Sequence, residues 1–271
     1  MAQNQYEKER VINLKILAIG DIVGEAGVEK LQKELPRIKQ ENNIDFVLVN
    51  GENAAGGMGI NKNNFNGMLK AGANVVTLGN HTWAKKDVFN IIGDSKILRP
   101  ANYTKGLPGK GYCIYECNGK KIAVINLIGR VDMNVFSENP FQVAKKIIQK
   151  LKDEVNIIIV DFHAEATAEK IAMGRYLDGY VTVLFGTHTH VQTADETVLP
   201  KGTGYITDIG MTGPKNSVIG MDLEASIKRF ETTLPERYKI ATGPCIFNGC
   251  IFEISDETFK TEKITRIYIK E

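Results

Sequence analysis

The chain is poor in the residues that would make it a disulfide scaffold or a structural zinc protein. It has four cysteines in 271 residues, Cys113, Cys117, Cys245 and Cys250. None has the paired CxxC spacing of a zinc knot, and all sit in or near apolar, strand-like stretches. They are read as small core residues of a reducing compartment. No apolar run approaches the roughly 18 residues of a membrane-spanning helix, and the start, "MAQNQYEKERVIN", lacks the apolar centre of a signal peptide. Charge of one sign is also missing: 34 basic residues face 32 acidic ones, for a formal +2. The charges are scattered, which excludes a basic arm or stripe for a nucleic-acid duplex. The expectation is a cytoplasmic chain with neither membrane nor duplex as partner. No repeat, linker or low-complexity segment divides it, and 43% hydrophobic content supports a large core. One domain over residues 14–271, after an N-terminal extension of residues 1–13, is the simplest organisation.

What is present is an alternation of apolar runs and helical periods. "LKILAIGD" reads as a buried strand ending at Asp21, and Val28, Leu31, Leu35 and Ile38 then recur at helical spacing. Pro36 is expected to kink or divide that helix. "DFVLVNGEN" and "ANVVTLGNH" read as strands around a helical "NFNGMLKAG", a βαβαβ opening that predicts a largely parallel first sheet. The pattern then changes. "GYCIYECNGKKIAVINL" is two strands about Asn118-Gly119, a strong hairpin signal. "NIIIVDFHAEA", "VTVLFGTHTH", "TGYITDIG", "GCIFEIS" and "TRIYIKE" supply further strands, and 166–176 and 224–232 read as helices. The mixture predicts an α/β fold of two packed sheets flanked by helices.

Histidine is scarce as well, with four in the chain, and two of them fall in "GTHTH". In an extended segment His188 and His190 would project from one face, as ligands of one metal or of two neighbouring metals. An isolated HxH is equally a pair of solvated loop residues. The other two histidines weigh against that reading. Apolar strands end in turn on Asp21, Glu52-Asn53, Asn80-His81, His163 and His188 with His190, and the carboxyl ends of parallel strands are where open α/β sheets assemble their sites. Imidazole, carboxylate and amide donors without thiolate suit divalent iron, manganese or zinc. Two carboxylates and several neutral donors exceed the needs of one tetrahedral ion, so two ions are implied. "AAGGMG", 54–59, lacks a Walker lysine and GxGxxG spacing, and reads as a turn. Arg130 and Lys215 could meet an anion or be merely solvated, and Trp83 is read as packing.

In order, "GDIVG", "GEN", "GNHTW", "DFHAEAT" and "GTHTH" resemble the signature blocks of the calcineurin-like metallophosphoesterases. The strings "NGENAAGG", "LRPANY", "INLIGR", "DFHAEATAEKIAM", "GTHTHVQTADE" and "TDIGMTGP" are more specifically similar to the YmdB-like phosphodiesterases. Val23 and Glu52 stand where the wider superfamily usually has His and Asp, which is the pattern of this branch. The resemblance implies a four-layer α/β/β/α sandwich of two mixed sheets. It implies that Asp21, Asn53 and His190 hold one metal, that Asn80, His163 and His188 hold the other, and that Glu52 bridges them. His81 is then a non-ligand proton donor. It further implies a metal-dependent phosphodiesterase acting on cyclic nucleotides, notably 2′,3′-cyclic and also 3′,5′-cyclic AMP. The nitrogen and oxygen donors point to iron, with manganese as a substitute. Three rival readings stand beside it: a phosphomonoesterase with the same site, an amidohydrolase-type barrel, and a metal-stabilised regulatory homo-oligomer. An HxH after a late strand, with Asp21 first, speaks against the barrel, and the retained His81 against a vestigial site.

Overall fold

A computed structural model describes residues 13–237 and 239–270. Of the expected N-terminal extension, residues 1–12 lie outside the described residues. Asn13 donates its Nδ2 to Glu262 Oε2 at 2.8 Å.

Period-two alternation builds two sheets back to back. Strand β1 (Leu14–Ile19) points Leu14, Ile16 and Ala18 one way and Leu17 and Ile19 the other. It pairs in parallel with β3 (Phe46–Asn50), which pairs with β4 (Val75–Thr77), as the βαβαβ opening predicts. The long strand β13 (Cys245–Ile254) runs antiparallel to β1, to β12 (Met211–Pro214) and to β14 (Thr261–Lys270). Short strands β2 (Asp21–Ile22) and β5 (Ile97–Leu98) complete this sheet.

The second sheet runs in the order β10 (Thr197–Val198), β11 (Gly204–Ile206), β9 (Val183–Thr187), β8 (Ile157–His163), β7 (Lys120–Ile128), β6 (Tyr112–Cys117). Its four inner strands are parallel and its edge pairs antiparallel. Asn118 and Gly119, with φ of 49° and 73°, form the expected turn between β6 and β7.

Three apolar layers result. Between the sheets, Leu14, Ile16, Phe46 and Phe252 meet Ile122, Ile159, Val183 and Phe185. On the outer face of the first sheet, Leu17, Val47 and Val49 meet Leu31, Leu35 and Ile38 of α1 (Gly24–Asn42) and Phe65 and Met68 of α2 (Lys62–Ala71). On the outer face of the second, Ala123, Ile125 and Val160 meet α3 (Pro140–Leu151) and α4 (Thr167–Leu177). The sandwich is α/β/β/α. The remaining helix, α5 (Leu223–Thr232), buries none of its residues.

Pro36 lies inside a continuous α1 and does not divide it. Pro36 and Gln32 are both exposed, so the carbonyl that loses its N–H partner faces water. Helix α3 is not among the expected helices, although Asn139 caps it by accepting from Phe141 and Gln142 N–H and Pro140 opens it, a helix-start signal in its own right.

Candidate metal centre

The sheets bring their carboxyl-terminal ends to one edge, and each contributes half of a polar cluster. Asp21 lies in β2 just beyond β1, Glu52 and Asn53 follow β3, and Asn80 and His81 follow β4. From the second sheet, His163 ends β8, and His188 and His190 follow β9. All eight candidate residues meet here. Asp21, Glu52, Asn53, His163 and His190 are buried, and Asn80, His81 and His188 are half-buried.

The cluster has two lobes about Glu52. On one side, His163 Nε2 lies 2.9 Å from Glu52 Oε1, 2.9 Å from Asn80 Oδ1 and 3.0 Å from His188 Nδ1. On the other, His190 Nε2 lies 3.1 Å from Asn53 Nδ2 and 3.8 Å from Asp21 Oδ1. Glu52 Oε2 accepts the His81 backbone N–H at 3.0 Å. Gly79 permits this packing: a Cβ there would collide with Glu52 Oε2 and His163 Nε2. Tyr103 Oη and Thr82 Oγ1 both donate to the Gly79 carbonyl and hold the turn.

A chain of hydrogen bonds fixes which imidazole nitrogen faces the cluster. Asp161, fully buried, accepts from Thr187 Oγ1 at 2.7 Å, Thr77 Oγ1 at 2.5 Å and Asn50 Nδ2 at 3.1 Å. With its proton committed to Asp161, the Thr187 hydroxyl accepts from His163 Nδ1 at 2.9 Å. His163 therefore turns Nε2 inward, as a ligand with an anchored second nitrogen does. His190 donates Nδ1–H to the Ile219 carbonyl at 2.8 Å and likewise presents Nε2. His188 is reversed: Nε2 faces Glu165 Oε2 at 3.1 Å and Nδ1 faces the cluster.

The ionisation of the set is governed by burial and by its own opposite charges. Burial pushes the Asp21 carboxyl up to about 6, against the opposing pull of His190 and His163. Its Oδ1 is buried without a hydrogen-bond partner, the kind of orphan that asks for an ion. Burial works to raise Glu52, but His163 and His81 hold it down to about 2. Burial works to lower His163, but Glu52 raises it to about 9. Burial and the charge on His163 push His188 down to about 3. Glu52, His163 and His188 place one ligand atom each within 4.8 Å of one another. The donor set fits divalent metal ions: imidazole, carboxylate and amide with no thiolate. Asn53 fits with one adjustment. Its Nδ2 faces His190 and its Oδ1 accepts from His81 Nδ1 at 2.8 Å, so its amide must turn over to ligate.

The expectation that His188 and His190 share an extended segment is wrong. Strand β9 ends at Thr187, and the two histidines have φ of 96° and 66°. They diverge toward different lobes. Trp83 packs as expected, stacked on Phe89 at 5.6 Å. "AAGGMG" is a turn closed by Ala55 N–H to Gly59 O at 2.9 Å. Arg130 and Lys215 are exposed. Sequence reasoning missed Asn50, Thr77, Asp161, Thr187 and Glu165. Asp161 carried a signal, an acid two residues before His163 on the same face of a buried strand.

The YmdB-like protein family model matches residues 17–267. The chain belongs to the YmdB-like family. It is 46% identical over 259 residues to the 2′,3′-cyclic-nucleotide 2′-phosphodiesterase of Bacillus subtilis, covering 95% of this chain and 98% of that protein. Among solved structures, this YmdB-like chain is similar to a novel phosphatase from Mycoplasma pneumoniae, with a TM-score of 0.91 and 39% identity over 96% of this chain and 94% of that one. It is also similar to a hypothetical protein from Thermus thermophilus, with a TM-score of 0.90 and 36% identity over 95% and 100%. The NAD nucleotidase of Haemophilus influenzae shares the fold at a TM-score of 0.62 and 16% identity, over 96% of this chain and 56% of that one.

Proposed function

We propose that this phosphoric ester hydrolase of the YmdB-like family is a phosphodiesterase that opens cyclic nucleotides, notably 2′,3′-cyclic ones, at a dinuclear metal centre. One observation carries the reading: the Glu52 carboxylate stands between two lobes of donors, one of which holds the orphaned Asp21 Oδ1. Asp21, Asn53 and His190 would hold one ion, Asn80, His163 and His188 the other, and Glu52 both. Iron is the preferred metal and manganese its substitute. The ions would supply charge neutralisation for the phosphoryl oxygens and an activated water as nucleophile. Residues 14–271 act as one domain, since both sheets feed the centre.

The chain's own residues do the rest. Asp161 and Thr187 keep His163 in one tautomer and orientation. We take His81 as a non-ligand: it is half-buried beside the cluster, its Nδ1 2.8 Å from Asn53 Oδ1 and 3.7 Å from Glu52 Oε1, and burial lowers its pKa. A lowered pKa makes the imidazolium a stronger acid while reducing how much of it is present at neutral pH, and we assign His81, once protonated, to protonate the departing alkoxide. A five-membered cyclic diester is strained, so opening it demands less of a site whose resource is electrostatic.

The test compares kcat/KM for 2′,3′-cyclic AMP, 3′,5′-cyclic AMP and 3′-AMP with one metal-loaded preparation. The cyclic diesters should be preferred, the 2′,3′ isomer most. A monoester hydrolysed at least as efficiently would make the enzyme a phosphomonoesterase with the same site.

A further inference from the structure

Two of the sequence strings, "DFHAEATAEKIAM" and "TDIGMTGP", contain a buried ion pair that takes no part in the site described above. Lys170 of α4 donates Nζ to Asp208 Oδ2 at 2.7 Å, with the side chains 1% and 0% exposed. A buried pair is costly to desolvate and is weak evidence of stabilisation by itself. Its placement is informative. Asp208 Oδ2 also accepts from Thr189 N at 3.2 Å and Thr189 Oγ1 at 2.6 Å, and Lys170 Nζ reaches Thr189 Oγ1 at 3.3 Å. Thr189 is the residue between His188 and His190.

We propose that the Lys170–Asp208 pair is the positioning device that holds Thr189 and so delivers His188 and His190 to different metal ions. The proposal rests on the dinuclear reading above. An extended HTH would project both imidazoles from one face. Instead both histidines adopt left-handed backbone, which is unfavourable for residues with a Cβ and persists only where the surroundings impose it. Three sets of contacts hold the segment there: Asp208 on Thr189, the His188 N–H donating to Asp21 Oδ2 at 3.1 Å, and His190 Nδ1 donating to the Ile219 carbonyl at 2.8 Å; of these, those of Asp208 act on the residue between the two histidines. Asp208 is itself fixed by Gly210 N–H to its Oδ1 at 2.8 Å and by its own N–H to Thr193 Oγ1 at 3.0 Å. The strand leaves room for the lysine stem, since a Cβ at Gly186 would lie 2.9 Å from Lys170 Cδ and collide with the Thr207 carbonyl oxygen. With Thr189 clamped, His188 offers Nδ1 to one lobe and His190 offers Nε2 to the other.

The experiment uses the full chain with Thr189→Val, Thr189→Ser and Asp208→Asn. Manganese binding is followed by the electron paramagnetic resonance of the free ion, together with kcat and KM on an aryl phosphodiester and the melting temperature without metal. Thr189→Val removes the hydroxyl at nearly constant shape. It should weaken manganese binding about 10- to 100-fold, as loss of an outer partner of a metal ligand does, and lower kcat more than it raises KM. Thr189→Ser should restore both. Asp208→Asn should act in the same direction as Thr189→Val and more strongly. Thr189→Val with wild-type manganese affinity and kcat would overturn the proposal alone. So would a change confined to the metal-free melting temperature, or a loss that serine does not rescue. A wild-type chain binding one ion would overturn the dinuclear reading and the proposal with it.

Discussion

Asp21→Asn should make the metal-free protein more stable and abolish its catalysis, because Asp21 is a charge buried for a purpose the metal-free fold does not serve. Its carboxyl is fully buried, with Oδ1 lacking any hydrogen-bond partner, and burial raises its pKa from 3.8 to about 6. A tenfold change in an ionisation equilibrium is worth about 1.4 kcal/mol, so keeping Asp21 ionised in the metal-free fold costs about 3 kcal/mol. The sign follows from linkage. The folded-state pKa lies above the unfolded one, so the cost is absent below the unfolded value, grows as pH rises and is complete above about 6. Asparagine keeps the shape without the charge. In the presence of chelator it should raise the melting temperature by roughly 5–10 °C at about pH 7.5, and by clearly less at about pH 5. Added manganese should then stabilise the wild type much more than the variant. A chelated Asp21→Asn protein that melts at or below wild type at about pH 7.5, or a difference that does not depend on pH, would refute the reasoning.

His81→Ala should retain metal yet lose about 10² to 10⁴ in kcat, with a smaller loss on a substrate whose leaving group hardly needs a proton; loss of metal instead would make His81 a ligand. Asp161→Asn should weaken metal binding about 10- to 100-fold, because the bond that aligns Thr187 with His163 is disturbed, and metal titration checks it. Gly79→Ala should abolish activity, since the added methyl meets Glu52 Oε2 and His163 Nε2; full turnover would show that the centre tolerates rearrangement.

The sequence made most of the sandwich legible because near-continuous apolar runs such as "LKILAI" and "IAVINLI", the mark of strands buried on both faces, end at glycines. The same boundaries marked the candidate site, since β1, β3, β4, β8 and β9 each lead into a possible donor. What escaped was backbone direction and partnership. An HxH after a strand reads as more strand, and it takes the contacts of His188 with Asp21, of Thr189 with Asp208 and of His190 with Ile219 to show that the chain turns there. Asp161 was hidden because an acid inside "IIIVDF" has no visible partner until Thr77 and Thr187 are brought beside it from other strands. Helix α3 does carry its signal in the sequence, a capping Asn139 followed by Pro140 at the first helical position. The continuity of α1 through Pro36 depended on exposure, which the sequence does not print.

The most direct test of the account is elemental analysis of the chain purified without chelators, wild type beside Glu52→Ala. Glu52 faces both lobes of donors, so the account predicts two metal ions per wild-type chain, iron with manganese as substitute, and loss of both from the variant. One zinc and no second metal in the wild type, or two ions retained by Glu52→Ala, would contradict a dinuclear centre bridged by that carboxylate.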